Sequence, residues 1–481
     1  MSNERGTPPM RTLSVVSVVL AALSLASVGK AENKPEVYPL GSRIELFVDD
    51  DQIETIRGLR LQMHSPRLAE VVLRKDRPYE DSTLYDPVVM LDQGRYRLWY
   101  RTNFNRSPYY TGYAESQDGV HWTKPELGLI EFLGSKKNNL VWSSGVGEGS
   151  PRVLSIFKDP RPDCLADQRY KAACVADIGG RLALIALASP DGLRWRPLRQ
   201  EPILTDGAFD SHNIVLFDTA RDCYVAYYRD FDRGVRQVKR ATSKDFLQWT
   251  RGEYIPLGPG PREHLYKNAA TPYYRRPDLI LMFPKRFLEE RAAPYAWPHP
   301  GLSDITLMTS RDGFHFRRTF LEAFIRPGLD ARNWHERAIE VAQGLVPTGR
   351  EEMSLYVVQN YRTDNVHIRR AVLRPDGFVS LHGDSQSGEM TTRPLTYLGS
   401  RLSLNYSTSA AGGIRVEIQD SSGKPLPGRG MADCKEIYGD ELERIVTWTD
   451  GNDVGRWAGQ PIRLKFAVRD ADLFSYHFQN P

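Results

Sequence analysis

The sequence predicts an all-β protein, a five-bladed β-propeller followed by a C-terminal β-sandwich. Two observations support this fold class. A short hairpin motif recurs along the first three quarters of the chain, each time behind a strand of alternating polarity. Beyond about residue 381 the pattern changes to alternating strands with Gly and Pro turns at 8–12-residue spacing, which is typical of a sandwich. Almost no segment has the periodicity of an amphipathic helix.

The recurring motif is Ser, any residue, Asp, Gly, an apolar residue, any residue and an aromatic residue. Its copies are SQDGVHW, SPDGLRW, SKDFLQW and SRDGFHF, with a weaker copy RPDGFVS, and their aspartates lie at 118, 191, 245, 312 and 376. Asp-Gly favours a hairpin turn because Gly accepts positive φ and Asp caps the turn. Each unit therefore holds three or four strands, and radial repetition of such sheets makes a propeller. The alternative is a large β-sandwich with chance Asp-Gly turns.

The N-terminus has the pattern of a secretory signal peptide, residues 1–31. Arg5 and Arg11 precede the apolar stretch Leu13–Val28, and small residues lead up to Ala31. A membrane anchor is the alternative, but the apolar stretch is short for a span. We therefore expect a periplasmic or secreted protein with no membrane contact after cleavage.

The remaining chain divides into three predicted parts. Residues 32–80 hold strands that lead into the propeller and donate a strand that closes it. Residues 81–381 form the propeller and residues 390–481 the sandwich, with a Gly/Ser-rich link between them. The sequence does not indicate an oligomeric state.

Charge and cysteine content exclude several classes of partner and cofactor. The net charge is +4 and no basic tract occurs, so a nucleic-acid partner is not expected. The four cysteines match no zinc spacing. Export permits disulfides, and Cys164 and Cys174 could form one or remain free thiols. No cofactor is indicated; a central structural cation is compatible with the fold but nothing specifies one.

Acidic residues at the starts of first strands are the candidate catalytic groups. In a propeller the first strand of each blade lines the central channel, where a ligand would bind. Asp86 begins the strand DPVVML, Asp210 stands in FDSHNIVLF, and Glu263 stands in PREHLYKNAATPYY. Pro87 is predicted to hold Asp86 in an extended conformation. Each acid has a structural alternative, as a turn cap or a partner of strand backbone.

The same segments offer residues suited to sugar rings and hydroxyl groups. The NWHERAIEV segment of the fifth unit contributes three of them and also contains Glu340, to which no role is assigned. The predicted substrate-binding residues are Arg101, His212, His264, Tyr266, Asn268, Arg286, Trp334, Glu336 and Arg337. Cleavage of a glycosidic bond needs two carboxyl groups, one to protonate the leaving oxygen and one to act on the anomeric carbon. A carbohydrate is therefore the predicted partner.

The chain resembles the five-bladed-propeller glycoside hydrolases of the invertase, levansucrase and arabinanase superfamily. YDPVVMLDQGRYRLWYR looks like their first-blade motif, and YAESQDGVHWTKPELG resembles their Ser-x-Asp-Gly-x-x-Trp hairpin. The resemblance covers about residues 80–380. It implies that Asp86 is the nucleophile or base and that a second Asp stabilises the transition state.

Three features depart from that superfamily. The usual Arg-Asp-Pro segment is absent, so Asp210 is the nearest analogue of the stabilising acid. No Glu-Cys pair occurs, and Glu263 is assigned as the general acid by its chemistry. Tyr85 precedes Asp86 where invertase-like members have Asn. A divergent branch acting on environmental polysaccharides is therefore expected, and sucrose or fructan is not.

Three functions follow as hypotheses. The first is a secreted glycoside hydrolase with Asp86, Asp210 and Glu263 in the roles above. The second is a carbohydrate-binding propeller without catalysis. The third is a glycoside phosphorylase of similar fold, for which Lys285, Arg286 and Arg337 are the visible phosphate ligands.

Overall fold

The structure is a computed structural model that describes residues 36–81, 83–102, 109–143 and 154–480. Within these ranges the chain forms β-strands and three single-turn 3₁₀ helices, without an α-helix. The all-β prediction is confirmed. Residues Val37–Pro481 form one compact unit. The predicted signal peptide lies outside the described residues, and the predicted domain boundaries stay a prediction. No helix in the described ranges is long and apolar enough to cross a membrane.

The N-terminal segment contributes strands to both ends of the molecule. Its strands are Tyr38–Gly41 (β1), Ile44–Leu46 (β2), Ile53–Arg57 (β3), Leu59–Met63 (β4) and Arg67–Arg74 (β5). Strands β1 to β4 pair with strands of the C-terminal sheet, whereas β5 pairs with the last strand of the fifth sheet of the repeat. Strand β5 thus lies at the edge of that sheet, and the role of this segment in closing the propeller stays a prediction.

The first three repeat units each form an antiparallel sheet. Sheet 1 contains Tyr85–Asp92 (β6), Arg95–Thr102 (β7), Tyr110–Ser116 (β8), Trp122–Thr123 (β9) and Leu140–Ser143 (β10). Sheet 2 contains Leu154–Lys158 (β11), Tyr170–Ile178 (β12), Arg181–Ser189 (β13) and Arg196–Pro197 (β14), with a 3₁₀ turn at Ala166–Gln168. Sheet 3 contains Ile214–Asp218 (β15), Cys223–Asp232 (β16), Val235–Ser243 (β17) and Glu253–Tyr254 (β18).

The fourth and fifth units are less regular. A small side sheet contains His264–Leu265 (β19), Lys285–Leu288 (β22) and Leu302–Ile305 (β23). Sheet 4 contains Thr271–Tyr273 (β20), Arg276–Met282 (β21) and Met308–Ser310 (β24). Sheet 5 contains Glu340–Val341 (β25), Val346–Pro347 (β26), Met353–Gln359 (β27), His367–Leu373 (β28) and β5, and a 3₁₀ turn at Ala331–Asn333 precedes it.

The first strands of the five sheets meet at one centre. Gln343, two residues after β25, accepts a hydrogen bond from Val89 N at 2.8 Å and from Ser155 Oγ at 2.7 Å. The Val89 bond is to the backbone carbonyl of Gln343 and the Ser155 bond is to its side chain, whose Nε2 donates to Val215 O. Sheets 1, 2, 3 and 5 are therefore joined through one residue. Gly344 N donates to Thr271 Oγ1 of sheet 4. A Cβ at Gly344 would lie 1.9 Å from Val89 O, so only glycine permits this approach.

The repeated hairpin motif forms the same turn in each of its first four copies. At the first copy, Asp118 Oδ1 accepts from the backbone N–H groups of Val120 and His121, both at 2.8 Å. Ser116 Oγ donates to the same oxygen at 2.9 Å. The equivalent bonds recur at Asp191, Asp245 and Asp312. The predicted capping role of these aspartates is confirmed.

The weak fifth copy of the motif differs. Asp376 is buried, and its carboxylate accepts hydrogen bonds from Tyr273 Oη and Ser475 Oγ, both at 2.6 Å. This carboxylate therefore ties sheet 4 to the C-terminal strands instead of capping a turn.

The C-terminal strands form one ten-stranded sheet together with β1 to β4. They are Val379–Gly383 (β29), Gly388–Thr392 (β30), Leu395–Tyr397 (β31), Arg401–Asp420 (β32), Asp440–Ile445 (β33) and Ile462–Gln479 (β34), with a 3₁₀ turn at Gly455–Trp457. The register of the long pair β32 and β34 shifts between Thr408 and Gly413. Buried residues from both halves of these strands share a single apolar core.

All four cysteines are free thiols in the structure, so the possible bridge between Cys164 and Cys174 is not formed. Cys174 is buried in β12. Cys164 lies 3.3 Å from the ammonium group of Lys171, which donates to its sulfur.

Candidate active site

Asp86 sits on a β-bulge at the start of β6. The register of β6 and β7 slips by one residue between Tyr85 and Val88, and Asp86 has a φ of +50°. The prediction that Pro87 keeps Asp86 extended is therefore wrong. A residue before proline avoids the right-handed helical region, and Asp tolerates the left-handed region better than most residues. The bulge re-aims the side chain, as bulges beside functional sites commonly do.

Two cations hold the carboxylate of Asp86. Arg101 Nη2 lies 3.2 Å from Asp86 Oδ2, and Lys267 Nζ donates to Oδ1. Burial would raise the pKa of Asp86, but the charges of Arg101 and Lys267 outweigh it and hold the pKa well below its ordinary value. Asp86 is therefore ionised at any physiological pH, as a nucleophile or a base must be.

Glu340 is the second carboxylate of this buried cluster. Its Oε1 accepts from the backbone N–H of Asp86 at 2.6 Å, which holds the strained φ in place. Its Oε2 accepts from Lys267 Nζ at 2.5 Å and lies 3.5 Å from Lys285 Nζ. Lys267 therefore bridges the two carboxylates, Asp86 and Glu340.

Lys285 lies below the cluster, against Tyr85. Its ammonium group donates to Tyr85 Oη at 2.9 Å, and only 1% of the residue is exposed. Burial lowers the pKa of Lys285 to about 7 although Glu340 acts in the opposite direction. Tyr85 also stacks on Tyr361 with ring centres 3.9 Å apart. The Lys267 ammonium lies 3.2 Å from the centre of the Tyr85 ring, a cation–π contact.

His212 lies close enough to this cluster for the two to influence each other electrostatically. It is buried, and its Nε2 has no hydrogen-bond partner among the described residues. Burial lowers the pKa of His212 to about 4, against the opposing charge of Asp86. His212 is therefore neutral at physiological pH.

An open cavity of about 30 Å³ lies against Asp86. This volume is about that of one water molecule, so the bulk of a sugar ligand would lie at the mouth of the cavity. Its lining residues are Tyr85, Asp86, Arg101, Asp210, Ser211, Tyr266, Lys267, Arg337 and Tyr361. Five of the predicted site residues, Asp86, Asp210, Arg101, Tyr266 and Arg337, thus line one cavity, and their roles stay predictions.

The carboxylate of Asp210 has an environment opposite to that of Asp86. Asp210 is exposed, and its carboxylate has no hydrogen-bond or ion-pair partner among the described residues. It therefore enters the cavity from the solvent side, whereas Asp86 lies at the buried side.

Glu263 is not among the residues that line this cavity. Its carboxylate lies 2.8 Å from Arg318 Nη1 and 3.3 Å from Arg286 Nη1, which hold it as an ion-paired group. Arg286 also makes a two-point contact with Asp304 at 2.9 and 2.6 Å. Glu263 and Arg286 thus satisfy each other's charge, and we do not retain Glu263 as the proton donor.

The other predicted binding residues have structural partners or line a different cavity. Asn268 is buried and donates to Tyr227 O at 3.1 Å. His264 Nδ1 accepts from Arg236 N at 3.1 Å. Glu336 accepts from Trp297 Nε1 at 2.6 Å. Trp334, with Arg286, lines a separate cavity beside β22 and β23.

The sequence reasoning assigned no role to Lys267, Glu340 and Tyr361. Glu340 carried the same signal as Asp86, because it is the one charged residue in the apolar run 338–346. Lys267 stands between the predicted residues Tyr266 and Asn268 in one segment. No local pattern marks Tyr361. Within the described residues, no group of three or more His, Cys, Asp or Glu is placed to hold a metal ion.

No family model matches the chain. Uncharacterized proteins from two strains of Mycobacterium tuberculosis, CDC 1551 and H37Rv, are each 27% identical to it over 121 residues, which is 24% of this chain and 34% of the relative. The chain therefore matches only about a third of the length of these curated relatives.

Several solved structures are similar to the chain at low identity. A glycoside hydrolase overlaps 64% of this chain and 92% of its own at a TM-score of 0.46 and 13% identity. A β-fructofuranosidase from Bombyx mori overlaps 86% of this chain and 95% of its own at a TM-score of 0.42 and 10% identity. An N-acetylgalactosamine deacetylase from F. plautii, in complex with blood group B trisaccharide, overlaps 86% of this chain and 96% of its own at a TM-score of 0.42 and 14% identity. Each TM-score is below 0.5, so the function of this chain has to be argued from its own residues.

Proposed function

We propose that the protein is a secreted glycoside hydrolase whose reaction takes place in the Asp86 cavity. The observation that carries the proposal is the pair of carboxyl groups that open into this cavity from opposite environments. Asp86 is buried and ionised by two cations, whereas Asp210 is exposed and unpaired among the described residues. Glycosidases need two such carboxyl groups in different roles.

We assign the two roles from the chemistry that glycosidic cleavage needs. Asp86 acts on the anomeric carbon, directly or through a water molecule, while the glycosidic C–O bond breaks. Asp210 gives its proton to the leaving oxygen. The partly exposed Tyr266 ring, which lines the cavity, provides an apolar face for a sugar. Export through the N-terminal signal peptide would place the enzyme where polysaccharides are found.

The test compares Asp86→Asn and Asp210→Asn on a panel of plant and algal glycans and aryl glycosides. Asp86→Asn is expected to lower kcat by at least about a thousandfold on every substrate, since the group acting on carbon is lost. Asp210→Asn is expected to lose activity on natural glycans but to keep much of it on aryl glycosides with acidic leaving groups, because these need no proton. Asp163→Asn, at a carboxylate that is 76% exposed, is the matched control.

Two results would contradict these assignments. Wild-type rates in Asp86→Asn would remove Asp86 from the chemistry. An equal loss in Asp210→Asn on all substrates, whatever the leaving group, would show that Asp210 is not the proton donor.

A carbohydrate-binding protein without catalysis is the second candidate. It is favoured by the Lys267 bridge, which leaves both carboxylates of the buried cluster paired with a cation. Binding of a glycan by wild type and Asp86→Asn alike, with cleavage by neither, would decide for it.

The phosphorylase hypothesis has less support, because only Arg337 among its three candidate phosphate ligands lines the cavity. Phosphate dependence of sugar release would decide for that alternative.

A further inference from the structure

Three arginines surround one ring at the edge of the cavity. The guanidinium carbons of Arg236, Arg229 and Arg337 lie 5.1, 5.2 and 5.9 Å from the centre of the Tyr266 ring. Arg229 and Arg236 also share the ring of Phe231, at 5.5 and 5.3 Å. Tyr266 and Arg337 themselves line the cavity that contains Asp86. We refer to Arg229, Arg236 and Arg337 as the arginine cluster.

The arginine cluster has too few acidic partners for its charge. No carboxylate of the described residues lies within 4 Å of the guanidinium group of Arg229 or Arg236, and Arg337 has only Glu336 at 3.9 Å. Arg229 is nevertheless 94% buried, and among the described residues its guanidinium group donates one hydrogen bond, from Nε to Ala208 O at 3.0 Å. Arg236 Nη1 lies 3.2 Å from His264 Nδ1, and its buried Nε has no partner among the described residues.

The positive charges of the arginine cluster repel one another. Burial lowers the pKa of Arg236, and the neighbouring charges of Arg229 and Arg337 lower it further. Glu289 is the carboxylate whose charge opposes this lowering of the Arg236 pKa. It is exposed and lies 3.7 Å from His264. Buried charges are normally paired, and ring faces offset only part of the lost hydration. Three guanidinium groups around Tyr266, of which that of Arg337 lines the cavity, therefore form a site that a negatively charged ligand would complete.

We propose that the arginine cluster binds an oxyanion group carried by the saccharide, either the carboxylate of a uronic acid or a sulfate ester. This proposal rests on the saccharide function proposed above. Planar guanidinium forks suit carboxylate and sulfate oxygens better than sugar hydroxyl groups, because each can donate two parallel hydrogen bonds to them. The substrate would then be an acidic glycan, with its charged group toward Tyr266 and its anomeric carbon toward Asp86.

The test is binding of the full-length protein to an array of neutral, uronate-containing and sulfated oligosaccharides, followed by calorimetry on the strongest ligands. We expect ligands only among the acidic glycans, with the uronate and sulfate members showing which oxyanion is preferred. Arg236→Gln and Arg337→Gln are expected to weaken binding about tenfold or more. Arg233→Gln, on the same hairpin as Arg236 but exposed, is the matched control and is expected to bind as wild type does.

Four outcomes would overturn the proposal. They are equal binding of neutral and acidic glycans, no binding of any glycan, unchanged affinity in both folded arginine variants, and tighter binding of inorganic phosphate than of any acidic glycan. Cleavage is measured separately on the same ligands. Acidic glycans that bind through the cluster without being cleaved would contradict the hydrolase function and leave the oxyanion site standing.

Discussion

The carboxylates of the repeated turns and the carboxylate of Asp86 are satisfied in opposite ways. Asp118 receives all its hydrogen bonds from residues within three positions in the chain. Asp86 is held by Arg101, by Lys267, which is 181 residues away, and by Glu340, which is 254 residues away. The turn is therefore specified by a heptapeptide, whereas the site exists only after the sheets have met. Local pattern predicts the first kind of carboxylate environment and cannot predict the second.

The largest expected effect comes from removing the long-range partner. Lys267→Met leaves Asp86 and Glu340 buried with one fewer cation between them. We expect the free energy of unfolding to fall by about 3–5 kcal/mol, the usual result of removing one member of a buried ion pair. Denaturant unfolding measures it.

The control for this substitution is Lys244→Met, at an ammonium group that is 75% exposed. It is expected to change the free energy of unfolding by less than about 0.5 kcal/mol. A loss of similar size in both variants would mean that the buried cluster does not differ energetically from a surface pair.

The second prediction concerns the pH dependence that the buried cluster creates. The pKa of Lys285 is about 7 in the folded protein and about 10.4 in an unfolded chain. Between these values the unfolded chain binds more protons, so the contribution of Lys285 to the free energy of unfolding rises with pH, by at most about 1.4 kcal/mol per pH unit. Below pH 7 the lysine is charged in both states and its contribution is constant.

Lys285→Met removes this contribution. The slope of the free energy of unfolding between pH 7 and 10 is expected to be lower in the variant than in wild type by about 1 kcal/mol per pH unit. The pKa of His212, about 4, lies outside this range, and burial keeps the pKa of Tyr85 well above it. Equal slopes in the two proteins would show that Lys285 has an ordinary pKa.

The same contrast explains how much the sequence predicts. The fold class follows from the Ser-x-Asp-Gly turns, because each copy closes its own hydrogen bonds. Asp86 and Asp210 are singled out because an acid beside an apolar strand is unusual wherever it occurs, and their catalytic roles stay predictions. Glu263 satisfies the same rule but forms ion pairs with Arg286 and Arg318, and no local pattern separates the two outcomes. The φ of Asp86 also depends on Glu340, which a rule about the residue before proline does not include.

The smallest expected loss of stability comes from replacing the aspartates of the repeated turns. This loss should be the same at each turn, which is the informative part of the test. Asp191→Ala removes the acceptor for Leu193 N at 2.9 Å and Arg194 N at 2.8 Å. Both donors can turn to water, so we expect a loss of about 1 kcal/mol in the free energy of unfolding. Asp245→Ala, which removes the equivalent bonds at 2.9 and 2.7 Å, should lower the free energy of unfolding by the same amount within about 0.5 kcal/mol.

Asp376→Ala should lower the free energy of unfolding by more, because that buried acid accepts hydrogen bonds from three other segments. Equal losses at all three positions would mean that sequence distance between partners does not distinguish the acids of this protein.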